Sequence, residues 1–115
     1  MEQGLIDPVK IYKDMVINDL VGLAYEKEVF GFRVLVVNCP EFFSQDLQLI
    51  LCKNRPFSVT WFYDGREKIF SFSLRSDEQE MDLTPIAQKV GAKEDRNYIS
   101  FKLKPEDVDN LLDLE

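Results

Sequence analysis

The order of apolar patterns predicts an α/β fold: a four-stranded mixed sheet with helices packed on it, in the order α-β-α-β-β-α-β-α. Three observations carry this expectation. Segments with three- and four-residue apolar spacing alternate with segments of period two. A near-continuous apolar run, FRVLVVNC at 32–39, suits a central strand covered on both faces. Proline, glycine and capping residues fall between these segments, where elements must start and stop.

Asp7 and Pro8 open the first helix, a carboxylate at the cap and proline in the first turn. Val9, Tyr12, Val16, Leu20 and Leu23 form its stripe, and the pattern predicts one long helix to about Lys27. Gly31 breaks it, and Phe32–Cys39 is the first strand, ended by Pro40. A helix over Phe42–Lys53 follows, with Phe43, Leu47, Ile50 and Leu51 inward, stopped by Asn54-Arg55-Pro56. Phe57–Tyr63 is a strand, Asp64-Gly65 a hairpin signal, and Glu67–Arg75 the return strand. Phe70, Phe72 and Leu74 face one way; Ile69, Ser71, Ser73 and Arg75 face the other. After an acidic loop, Thr84 caps a helix with Pro85 at its first position and Gly91 as its stop. Tyr98–Lys104 is the last strand, burying Ile99, Phe101 and Leu103. Pro105 opens a short acidic helix in which Val108, Leu111 and Leu112 pack inward.

At 115 residues the chain fits one domain, and 45% hydrophobic residues with nine Phe argue against disorder. It has no histidine, which excludes a Ser-His or Cys-His nucleophile, an imidazole base and a His-ligated zinc. A formal charge of −7 argues against a simple electrostatic clamp on nucleic acid, although a local basic face stays open. Cys39 and Cys52 sit among apolar residues and read as buried free thiols in a reducing compartment. The N-terminus does not read as a signal peptide, and no apolar run is long enough to span a bilayer. The expected location is the cytoplasm, away from membranes.

The acidic run Asp77, Glu78, Glu80 and Asp82 lacks the spacing and central glycine of a calcium loop, and reads as a solvated connection. The sequence holds no phosphate-cradling glycine loop and no assignable catalytic or metal-ligating set. The more pointed group is positive. Arg75 ends a strand on the face of Ser71 and Ser73, Arg96 and Asn97 precede the last strand, and Lys102 and Lys104 lie on that strand's polar side. If the two strands pair, these groups meet at one face or edge, and arginine's planar fork is the better phosphate ligand. Pairing of the same residues with the neighbouring acidic loops is the competing reading.

The stretch from Phe32 to Phe101 resembles the DHH-associated domain, the C-terminal domain of DHH-type phosphoesterases such as RecJ-type exonucleases, oligoribonucleases and phosphoadenosine-phosphate phosphatases. The resemblance rests on VLVVN (34–38), FSQDL (43–47), SLRS (73–76), TPIAQKVG (84–91) and DRNYISF (95–101). It implies that Ser73, Arg75, Gly91, Arg96 and Asn97, with Lys102 beside them, touch a phosphate or nucleotide. In the family several glycines and a histidine cradle the anion. Here only Gly91 remains of the glycines, and Asp95 stands at the histidine's place beside Glu94, so the cradle is filled and its charge reversed.

The resemblance further implies that manganese or magnesium belongs to a separate N-terminal catalytic domain. Residues 1–31 are too short to be that domain and read as a helical linker, with 32–115 as the DHH-associated-like domain. The chain reads as a fragment of a larger protein or a stand-alone relative. The expected function is recognition of short single-stranded nucleic acid or a phosphorylated nucleotide, weakly and without catalysis by this chain alone. The alternative is a degenerate module that docks a protein partner in a nucleic-acid-handling assembly.

Overall fold

The computed structural model describes residues 7–77 and 81–112. The chain runs α1 (Pro8–Leu23), β1 (Tyr25–Val29), β2 (Phe32–Asn38), α2 (Glu41–Leu51), β3 (Ser58–Asp64), β4 (Ile69–Arg75), α3 (Thr84–Val90), β5 (Tyr98–Leu103) and α4 (Pro105–Leu112). The five strands form one sheet in sequence order, β1-β2-β3-β4-β5. Only β2 and β3 run parallel, joined by the crossover helix α2; the other pairs are antiparallel.

The expected mixed α/β layer is present, but the sheet has five strands and not four. The first helix stops at Leu23, because Ala24 adopts an extended backbone with ψ 143°. The residues expected to extend it, Tyr25 to Lys27, belong to β1. Phe30 and Gly31 both take positive φ, 52° and 86°, between the paired residues Val29 and Phe32. This is the two-residue hairpin turn whose twist suits flanking strands, so Gly31 turns a hairpin and does not merely end a helix. β1 escapes sequence reading because its three central residues, Glu26, Lys27 and Glu28, are charged, as edge strands often are.

Smaller differences have local causes. Thr84 lies inside α3; the Asp82 carboxylate accepts the Thr84 backbone N–H at 2.9 Å and does the capping. Between β3 and β4 the paired ends are Asp64 and Ile69, so Glu67 lies in a four-residue turn and not in the strand. Asp64 organises that turn by accepting the backbone N–H groups of Arg66 and Glu67 at 2.9 and 3.3 Å. Ile50, expected inward, is exposed, whereas Leu47 and Leu51 are buried. Gly91 ends α3 in the left-handed conformation, φ 74°, as expected. The inward packing expected of Leu111 and Leu112, and the acidic residues Glu78 and Glu80, lie outside the described side chains.

The core has two parts, one on each side of the sheet. On one side Val34, Val36, Phe57, Val59, Phe72, Leu74, Ile99 and Phe101 pack against Leu83, Ile86 and Ala87 of the α3 segment and Val108 of α4. On the other side Val37 and Cys39 pack against Ile17 of α1 and Leu47 and Leu51 of α2. The second part covers β2 and its neighbours only. The same side of β4 and β5 carries Ser71, Ser73, Arg75, Tyr98, Ser100 and Lys102, and these residues are half-buried or exposed.

Candidate phosphate-binding site

The antiparallel pairing of β4 and β5 places Arg75 opposite Tyr98, Ser73 opposite Ser100 and Ser71 opposite Lys102. The two strands expected to pair therefore do pair, and their polar residues share one side of the sheet. The C-terminus of α2 approaches the Arg75 end. There Leu49, Cys52 and Lys53 face Arg75, Ser76, Asp77 and Asn97 across a recess of about 490 Å³.

Ser76, only 4% exposed, fixes the geometry of this recess. Its backbone N–H donates to the Asn97 carbonyl at 2.9 Å. Its hydroxyl lies 2.9 Å from the Met81 carbonyl and 3.2 Å from the Arg96 carbonyl, and accepts the Asn97 side-chain amide at 3.3 Å. One buried serine thus ties the end of β4 to the loop that precedes β5. The final serine of the SLRS stretch carried the signal for it, but its role is structural support of Asn97.

Arg75 lies over the ring of Tyr98, 5.0 Å from guanidinium carbon to ring centre. The Tyr98 hydroxyl donates to the Ser73 hydroxyl at 3.4 Å. Arg75 Nε is buried and has no hydrogen-bond partner among the described residues. Its Nε is thus an unpaired donor closed off from solvent, on a side chain steadied by an aromatic face. Tyr98 is the residue that sequence reasoning passed over; its signal was its position next to Arg96-Asn97 at the strand's first residue.

The carboxylates of Asp95 and Glu94 are engaged locally. Asp95 Oδ1 accepts the backbone N–H groups of Asn97 and Tyr98 at 2.9 and 3.3 Å. Those two bonds, Asn97 first, hold its carboxyl below the ordinary value, with the charges of Lys93 and Arg75 helping. Glu94 accepts the Gln88 side-chain amide at 3.3 Å. Asp95 therefore builds the turn that presents Asn97, while still placing a negative charge near Arg75.

Of the residues expected at the site, Arg75 and Asn97 line the recess, and Ser73 adjoins it through Tyr98. The others lie elsewhere. The Arg96 side chain is exposed and pairs with Asp82 at 3.8 Å. Gly91 serves as the stop of α3 and does not line the recess. Lys102 is four residues from Tyr98 along β5, about 13 Å at strand spacing, and lies 3.6 Å from the Glu67 carboxylate.

Burial, and then the charge of Asp77, pushes the Cys52 thiol up. Burial pushes Cys39 up to about 11. Both cysteines are free and buried, so both stay protonated thiols. Among the described residues no three Cys, Asp or Glu side chains gather where they could hold a metal ion, and no helix is long and apolar enough to cross a membrane.

No family model matches the sequence, and no curated protein is similar to it. Among solved structures, the fold is similar to that of PggH from Vibrio cholerae, a pGpG-specific phosphodiesterase, with a TM-score of 0.64 and 8% identity. The match covers 87% of this chain and 36% of that one, so this chain spans about a third of the length of the phosphodiesterase. At that identity the likeness is one of fold: the mixed sheet with its helices is an architecture found within a nucleotide phosphodiesterase.

Proposed function

We infer that this chain is a recognition domain for a nucleotide or short single-stranded nucleic acid, of the DHH-associated kind, with no catalysis of its own. One observation carries the reading: Arg75 is held against Tyr98 with its Nε unpartnered, beside Asn97, at the mouth of a recess. An arginine fork fits phosphate oxygens in two hydrogen bonds. The fold shared with a nucleotide phosphodiesterase supports this, as do the SLRS and Arg96-Asn97 positions of the sequence resemblance. Phosphoester hydrolysis, with manganese or magnesium, would belong to a separate catalytic domain working on the anion held here.

Arg75 supplies the charge and the fork, and Asn97 holds its place through Ser76. Lys53 adds long-range attraction from the end of α2. Asp77 and Asp95 stand near enough to weaken the grip, so binding is expected to be modest. Titration with a 3′,5′-bisphosphate nucleotide and a labelled short oligonucleotide tests this. Affinity should fall as salt rises and should drop on Arg75→Ala. Absence of binding at low salt would remove the reading.

A second reading, a protein-docking module, has one observation in its favour. α1 is apolar on both sides: Ile17 is buried against the sheet, while Ile11, Tyr12, Met15 and Leu23 are exposed. Retained oligonucleotide binding after polar substitution of Tyr12 and Met15 would separate the two functions.

A further inference from the structure

The first helix is apolar where a surface helix is usually charged. Ile17 is the buried residue of α1 and packs against the sheet side of the molecule. Lys10, Lys13 and Asp14 fall on the flanks of that buried side, and Lys13 turns to Asp46 of α2 at 2.8 Å. Pro8, Tyr12, Met15, Asp19 and Gly22 recur at steps of four and three, so they form one line on the opposite side. Ile11 and Leu23 flank that line. Tyr12, Met15 and Leu23 are between 62% and 68% exposed. A surface helix turns charge to water along such a line; this one offers a single carboxylate.

The patch has the size of a specific contact. Phe42 of α2 continues it beside Lys13, whose ammonium lies 4.8 Å from the ring centre, and Ile50 shares a recess with Val9. Val9, Phe42 and Ile50 are exposed like the four apolar residues above. Half-open side chains of this size leave on the order of 100 Å² each in water, so the seven offer roughly 700 Å², close to the ~800 Å² per partner of a standard interface. Charge narrows the choice of face. The chain carries −7, so two copies repel over most of their surface. Pro8–Leu23 carries two Lys and two Asp and is neutral.

Two further details fit the same helix of a second copy. Tyr12 and Asp19 lie seven residues, two turns, apart on the outer line. Lys10 and Lys13 are taken by Asp14 and Asp46, so Asp19 has no lysine of its own helix. Two α1 helices set antiparallel about an axis between Met15 and Val16 bring each Tyr12 hydroxyl to Asp19 of the other copy, donor to acceptor. The same alignment lays the first turn of one helix over Gly22 of the other. A Cβ at Gly22 would meet nothing within 4 Å, and its backbone is helical, so nothing within one chain calls for glycine there. A second backbone approaching closely does.

We propose that the outer face of α1 is a homodimer interface, with two copies packing this helix antiparallel about a two-fold axis. None of these side chains lines the Arg75 recess, so the inference stands apart from the phosphate reading.

Sedimentation equilibrium of the full chain over a wide concentration range tests it. Wild type should move from the mass of one 13.4 kDa chain to that of two as concentration rises. Added salt should tighten the dimer by screening the net repulsion, the opposite sign to phosphate binding. Met15→Lys brings two like charges together at the axis and should give single chains throughout. Gly22→Gln should weaken the dimer about tenfold, yet raise the thermal midpoint of the dilute single chain, because glutamine is the better helix former. Tyr63→Lys, exposed on the opposite side of the sheet, should leave the dimer as it is. Single chains of wild type at every concentration would overturn the proposal, as would a dimer that survives both α1 variants undiminished. If circular dichroism shows Met15→Lys unfolded, Gly22→Gln decides alone: a dimer it does not weaken overturns the interface.

Discussion

The two faces of this sheet put the same strands to different uses. Along β4, Phe72 and Leu74 point into a closed core under α3 and α4, and Phe72 stacks on Phe101 with ring centres 5.5 Å apart. Their neighbours Ser71, Ser73 and Arg75 point to the opposite side, where α2 reaches the Arg75 end of β4 and the Ser71 and Ser73 stretch borders an open trough. The difference teaches that alternate residues of one strand can serve a closed apolar core on one side and a polar, half-buried surface on the other.

That contrast is breakable. The largest effect should come from the closed side: Phe72→Ala should cost about 3–5 kcal/mol in denaturant unfolding, whereas Ser71→Ala, one residue away, should stay within about 0.5 kcal/mol. A comparable loss at both would erase the distinction. Next comes the hinge between the two sides. Ser76→Ala should cost about 1–3 kcal/mol, because buried partners lose a hydrogen bond, and amide exchange over 94–97 should accelerate. Arg75→Ala should leave the unfolding midpoint nearly unchanged and still reduce nucleotide affinity about tenfold, the size of one charge-assisted contact.

The smallest effect, and the sharpest in sign, belongs to Asp95. Asp95→Asn keeps an oxygen for the Asn97 and Tyr98 N–H groups and removes a charge near Arg75. Phosphate affinity should therefore rise; Asp95→Ala, which loses the turn, should lower it. The pH dependence follows from the same bonds. A carboxyl held below its ordinary value contributes stability above its unfolded pKa, and loses it as pH falls through the lower folded value. Asp82 and Asp95, both held low, should thus make the turns at 82–84 and 95–98 loosen in exchange measurements below about pH 4.

Much of this architecture was legible because its signals are local. Pro85 and Gly91 bracket α3, and strict alternation in Phe70, Phe72 and Leu74 fixes which side of β4 is dry. β1 was not legible: Glu26, Lys27 and Glu28 favour a helix by propensity, and only pairing with β2 through the Phe30-Gly31 turn makes them a strand. At the site, Arg75 and Asn97 could be named from position alone. That Asp82 reaches Arg96 and Glu67 reaches Lys102 could not be read from the sequence. Tyr98 and Ser76 act through long-range contacts across 20 or more residues, which no periodicity encodes.

The central claim is that the bare side of the sheet binds phosphate through Arg75. Nitrogen-edited NMR with pGpG at low salt reads it most directly, since the Arg75 Nε–H has its own resonance. The account predicts that this resonance and the amides of Ser76, Asn97 and Tyr98 shift on titration, and that the shifts fade as salt is added. Shifts confined to residues around Phe72 and Ile86 on the closed side, or to the outer side of α1, would contradict it.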